Sequence, residues 1–181
     1  GQYLDHYIYE ASVEGLLKAG RNEVVVVTTT HLYEMPALRY PVILTGRFAV
    51  SGARRPKVIA ETDTLTGKGW DRQGYPYYSG IGVYRQWVNL TRAQLGCRLF
   101  LDFDRPGDLA EVFVNDSPCG VRAWEPWRVE ITEAAKTGAN LIEVRAANSL
   151  QNLLVQEPKP SGLLGTARIV ACKEITFDLS S

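Results

Sequence analysis

The sequence predicts an all-β chain folded as an antiparallel β-sandwich with short helical turns. Three observations carry this. Apolar residues recur at every second position over five segments between Val83 and Phe177. Clusters of Gly, Pro, Asn and Asp separate those segments. Long helical periodicity is missing. Period-two alternation marks strands buried on one face, and short strands joined by polar turns stack as two sheets.

The elements follow in chain order. "VEGLLKAGRNEVVVV" at 13–27 reads as a short helical turn, a Lys-x-Gly-x-Asn corner and a strand. The glycine suits a positive-φ C-cap and the asparagine the next turn position. "PVILTGRFAV" supplies a second strand, and the basic "SGARRPKVIAE" is a link. "GWDRQGYPYYSGIGVYRQWVNL" at 69–90 opens rich in rings and ends as a strand. Tyr84, Val88 and Leu90 share one face of it with Gln86, while Val83 and Trp87 share the other with Arg85 and Asn89. In "CRLFLDF", Cys97, Leu99, Leu101 and Phe103 oppose Arg98 and Asp102. In "LAEVFVND", Ala110, Val112 and Val114 oppose Glu111 and Asn115. In "NLIEVRAAN", Ile142, Val144 and Ala146 oppose Glu143 and Arg145. "RIVACKEITF" places Ile169, Ala171, Ile175 and Phe177 together. "RPGD" at 105–108, "NDSPCG" at 115–120 and "KTGAN" at 136–140 read as the turns.

One stretch repeats. "ITEAAKTGANLIEVR" at 131–145 aligns with 13–27: Val13 on Ile131, Lys18 on Lys136, Gly20 on Gly138, Asn22 on Asn140, Val24 on Ile142 and Val26 on Val144. Only this closing half repeats. Residues 1–50 are therefore expected to be the tail of a preceding sandwich, or extra strands on the main one, and residues 51–181 the sandwich itself. The only methionine is Met35, so the chain does not open on a start residue, and it reads as a piece of a longer protein.

From "GWDRQ" through "SGLLG", residues 69–165 carry in this order Gly-Tyr-Pro-x-Tyr-x-Gly, Val-x-Val-Asn, Trp-x-Pro, Ile-Thr, Lys-x-Gly-x-Asn and Asn-Ser-Leu. The series resembles the galactose-binding-like jelly roll of glycoside hydrolases, as in the sugar-binding domain of family-two hydrolases and the C-terminal sandwiches of large α-L-rhamnosidase-like enzymes. One departure is that the usual Asn-Gly turn is Asn115-Asp116 here. The resemblance implies a non-catalytic sandwich whose partner is the catalytic domain of a parent glycoside hydrolase. It does not imply galactose as ligand, since function belongs to a site and not to a fold. No cofactor is required. The resemblance also implies a possible structural calcium, for which Glu61, Asp63 and Glu174, near the two ends of the sandwich, are the candidate carboxylates.

Composition excludes several classes. Twenty basic and twenty acidic residues give no net charge, so neither the basic field of a nucleic-acid binder nor a polybasic membrane anchor exists. No apolar run reaches the roughly 18 residues that span a bilayer. No signal-peptide pattern opens the chain, so any address signal is expected outside it. Cys97, Cys119 and Cys172 are odd in number and widely spaced, which fits buried apolar residues better than a disulfide framework or zinc site. Asp102 and Asp104 point the same way from one strand and do not flank a substrate as glycosidase acids must. His6 and His31 lie far from any nucleophile motif. "NLT" at 89–91 is a glycosylation sequon by pattern.

The aromatic residues remain as candidates. The Gly-Tyr-Pro-x-Tyr and Trp-x-Pro segments read mainly as scaffold closing the sandwich. Rings carried on loops can also stack on a sugar and hydrogen-bond it from their polar tips. The expected oligosaccharide contacts are Trp70, Tyr77, Tyr78 and Trp124, with Asp71, Arg72 and Gln73 as polar partners. Three functions stay open: an accessory sandwich of a glycoside hydrolase, an independent carbohydrate-binding module, and a structural domain without ligand.

Overall fold

The computed structural model describes residues 2–3, 5–28, 42–52, 55–62, 64–66, 68–155, 158–173 and 175–176. The chain forms two compact units, Gly1–Gly46 and Arg47–Ser181.

In the first unit, β1 (Gln2–Tyr3) pairs antiparallel with β2 (Asp5–Tyr9). Leu16 N–H donates to the Val13 carbonyl at 3.1 Å and closes a single turn. The chain then passes the corner at Gly20, where φ is +93°. The strand expected after the corner is not paired: among the described residues, 23–28 join no ladder. Val42, Ile43 and Leu44 are likewise exposed and outside any strand, against the reading of 41–50 as one strand.

The second unit opens with the hairpin of β3 (Ala49–Ser51) and β4 (Lys57–Ile59). The main body is built from β5 (Ile81–Leu90), β6 (Arg98–Arg105), β7 (Leu109–Val114), β8 (Ser117–Arg122), β9 (Arg128–Glu130), β10 (Gly138–Ala147) and β11 (Leu164–Cys172). One antiparallel sheet runs β5-β10-β7-β8 and the other β11-β6-β9. Their facing sides meet in one core. Leu99, Leu101, Phe103 and Val129 come from the smaller sheet, and Ala110, Val112, Val114, Ile142 and Val144 from the larger. The chain is thus an all-β antiparallel sandwich. Alternation had assigned each of these residues except Val129 to its inward face.

Short helical turns punctuate it. α1 (Arg92–Leu95) starts at a capping box in which Thr91 and Gln94 satisfy each other's backbone N–H groups. α2 (Gln151–Leu154) and two 3₁₀ turns, Trp70–Arg72 and Thr132–Ala134, are as short.

One turn assignment and one strand end change. The β7–β8 turn is only Asn115-Asp116, with φ of +51° and +66° and Val114 paired to Ser117, so residues 117–120 are strand. Positive φ at both central residues is the geometry that Asn-Gly normally supplies, and Asn and Asp tolerate it. The missing glycine therefore changes nothing in the hairpin. At the C-terminal end, β11 stops at Cys172, and Ile175 is exposed where burial was expected.

Candidate functional site

The ring-rich segment is a lock on one end of the sandwich. Trp70, at the start of a 3₁₀ turn, is 1% exposed. Its ring meets Tyr78 edge-on, with centroids 5.7 Å apart. The backbones of Gly82 and Gly162 lie so close to that ring that a Cβ at either would press into it. Trp70 N–H donates to the Ser161 carbonyl at 2.9 Å, and Ser161 N–H donates to Asp71 Oδ1 at 3.1 Å. Asn148 adds three bonds: it accepts from Gly80 N–H and donates to the Tyr78 carbonyl and Ser161 Oγ, each at 2.9 Å. Buried Asn152 donates to Ser161 Oγ and to the Lys159 carbonyl, both at 3.0 Å. The Tyr84 hydroxyl accepts from Leu163 N–H at 3.1 Å, and burial pushes that phenol upward. Burial without partners is costly for such groups, and here nearly all are satisfied. Trp70 Nε1 is the one buried side-chain nitrogen or oxygen of the described residues without a partner.

This divides the expected sugar contacts. Trp70 cannot offer a ring face, because glycine backbones and Tyr78 enclose it. Asp71 is held by Ser161. Gln73 is consumed inside its own loop: its amide donates to the carbonyls of Thr66, Lys68 and Gly69 and accepts from Thr66 N–H. Arg72 is exposed, its Nε 3.9 Å from Asp71. Tyr77 is half-buried and Tyr78 is 44% exposed, with the Tyr78 hydroxyl bonded to the backbone of Ile81. Trp124 stands 75% exposed on the loop between β8 and β9. Among the described residues, no ring contact joins Trp124 to Tyr77 or Tyr78.

A second region was not foreseen. A groove of about 500 Å³ runs between the outer face of the smaller sheet and the loop carrying Trp127. Asp102, Phe103, Asp104, Glu125, Trp127 and Arg128 line it, with Pro126 and Arg168. The register places Arg168 and Arg128 on either side of Asp102. Arg128 grips Asp102 bidentately, at 2.6 and 2.7 Å, and Arg168 meets Asp104 at 2.7 Å. The hydrogen bonds from Arg128 hold the Asp102 carboxyl below the usual carboxylate range. It is an anion at neutral pH, unlike a general acid, whose pKa must be raised. The Trp127 ring lies tilted against Phe103, 6.4 Å between centroids. Carboxylate–guanidinium pairs beside an indole offer acceptors, donors and an apolar face together, which are the groups that hydroxyl-rich ligands need. Sequence showed the alternating acids but not which distant strands would face them.

Glu61 is ion-paired to Arg47 at 3.1 Å, a cation where calcium would need oxygens. Asp63 and Glu174 lie outside the described residues, and no three acidic, histidine or cysteine side chains cluster among those described. The three cysteines are free and half-buried. Asn89 of the sequon is exposed at the end of β5.

The fold is an all-β antiparallel sandwich, and the comparisons make it similar to parts of glycoside hydrolases. No family model matches the chain. It is 28% identical over 124 residues to a "Putative beta-glucuronidase" of Formosa agariphila, covering 66% of this chain and 11% of that protein. A second protein of the same name and organism is 34% identical over 88 residues, 46% of this chain and 8% of its own length. Among solved structures, the rhamnosidase from Novosphingobium sp. PP1Y is similar with a TM-score of 0.50 and 27% identity, over 83% of this chain and 16% of that one. The chain therefore spans only a small part of the relatives it matches.

Proposed function

We propose that this chain is an accessory sandwich of a larger glycoside hydrolase, packing beside a catalytic domain and carrying no catalytic residues of its own. The observation that carries the reading is the match to about a tenth of a much larger protein named as a β-glucuronidase. The state of the carboxylates supports it. Asp102, Asp104, Glu130 and Glu143 each sit in an ion pair with an arginine, and Asp108 accepts from Ser149 N–H at 2.8 Å. A glycosidase needs one carboxyl kept protonated and another free to attack or to activate water. The test is complementation. The remainder of the parent polypeptide, produced without this segment, should lose stability or activity and regain it when the segment is restored in cis. Full activity and unchanged stability without the segment contradict the reading.

One observation favours an added role in glycan contact: Trp124, a large ring left 75% exposed on a loop, flanks the groove-lining Glu125. Under this reading Trp124, with Tyr77, Tyr78 and Arg72 as secondary contacts, touches oligosaccharide weakly. Neutral sugars bring no charge, so affinity is nearly independent of salt. Titration calorimetry with oligosaccharides should show binding that Trp124→Ala removes. Binding that survives this change places the contact elsewhere.

A further inference from the structure

The two Lys-x-Gly-x-Asn corners are the same structure, yet only one of them feeds a covered strand. In the second unit, Lys136 N–H donates to Asn140 Oδ1 at 2.9 Å, and Asn140 Nδ2 donates to the carbonyls of Lys136 and Gly138 at 2.7 and 2.9 Å. In the first unit, Lys18 N–H donates to Asn22 Oδ1 at 3.0 Å, and Asn22 Nδ2 donates to the carbonyls of Lys18 and Gly20 at 2.8 and 3.2 Å. Gly138 and Gly20 have φ of +89° and +93°. From Gly138 through Asn140 the chain runs into β10, flanked by β5 and β7. Beyond Asn22 it becomes Val24–Val27, which are between 51% and 87% exposed.

We infer that residues 13–28 are the corner and central strand of a second copy of this sandwich, and that Val24–Val27 are a docking strand for its β5-like and β7-like neighbours. The occupant is thus a pair of antiparallel strands from the polypeptide upstream. Matching positions say how they sit. Val24 and Val26 occupy the places of Ile142 and Val144, which point into the core. Val25 and Val27 occupy those of Glu143 and Arg145, on the sheet face opposite the core, where Glu143 accepts from both Arg145 and Arg85. Valine in place of that charge ladder makes both faces apolar, the pattern of a strand covered on both sides. One neighbour has a further signature. Asn115, at the end of β7, donates to Asn140 Oδ1 at 2.9 Å and accepts from Leu141 N–H at 3.1 Å. The β7-like neighbour should likewise end in a side chain able to donate to Asn22 and accept from Glu23 N–H.

The inference rests on the reading of this chain as part of a larger polypeptide, but not on its sugar chemistry. Amide hydrogen exchange tests it in two preparations, the 181-residue chain and the polypeptide extended upstream. In the 181-residue chain, the amides of 24–27 should exchange at least 100-fold faster than those of 142–145. In the extended polypeptide they should slow to within about 10-fold of 142–145. Protection already present in the 181-residue chain overturns the inference; if it grows with protein concentration, the occupant is a second copy, and if not, another part of this chain. Exchange that stays fast in the extended polypeptide also overturns it. Val26→Lys supplies a second reading, since it should leave melting of the 181-residue chain unchanged and lower that of the extended one. Loss of the glycoside hydrolase reading would leave these outcomes unaffected.

Discussion

Asn140 shows how much one side chain can hold. It is fully buried, and its amide joins Lys136, Gly138 and the hairpin residue Asn115. Asn140→Ala leaves those groups unpaired in the interior and should lower stability by about 2–3 kcal/mol in urea denaturation. Asn22 repeats only the bonds within its own corner, at an exposed position, so Asn22→Ala should change the stability of the chain by no more than about 0.5 kcal/mol. Gly138→Ala isolates the backbone, because a Cβ there meets nothing within 4 Å; the positive φ alone should cost about 1 kcal/mol. The ion pairs give a pH dependence. Hydrogen bonds from Arg128 depress Asp102 below its usual 3.8, and those from Arg85 depress Glu143 below its usual 4.5. A depressed folded value means that stability is complete above the unfolded value and is lost as pH falls through the folded one. Melting temperature should therefore drop below about pH 4.5, and the drop should be shallower in Asp102→Asn and Glu143→Gln.

At the scale of elements, strands were legible and their partners were not. Alternation fixed the inward faces of β5, β6, β7 and β10, because a buried face enforces period two. It could not say that β6 lies between β9 and β11, so the Asp102–Arg128 and Asp104–Arg168 pairs and the groove beside them stayed hidden. Residues 117–120 were misread because Pro118 and Gly120 look like turn residues, whereas the turn is complete at Asn115-Asp116. Trp70 looked like a loop ring open to sugar. Its burial depends on Gly82 and Gly162, one on a strand and one on a remote loop, and sequence does not reveal that juxtaposition. The lock can be tested at its contacts. A Cβ on Gly82 would lie 2.5 Å from the Trp70 ring, so Gly82→Ala should destabilise by about 1–3 kcal/mol by overpacking. Trp70→Ala should cost about 3–5 kcal/mol by leaving a cavity. If either change is neutral in denaturant titration, the segment does not lock the sandwich.

For the whole molecule, a sandwich with a dense core, a satisfied polar lock and ion-paired acids is built to hold its shape. Trp124 and Trp87 are large rings left exposed outside that construction, and under the proposed function they are the surfaces offered to a partner domain or a glycan. Under the proposed function, catalysis belongs to another part of the polypeptide. The most direct measurement is turnover of 4-nitrophenyl β-glucuronide and α-rhamnoside by the purified 181-residue chain from pH 3 to 9, beside the longer polypeptide. Hydrolysis is expected from the longer polypeptide and none above buffer from this chain. Hydrolysis by this chain that Asp102→Asn or Glu125→Gln abolishes would contradict it.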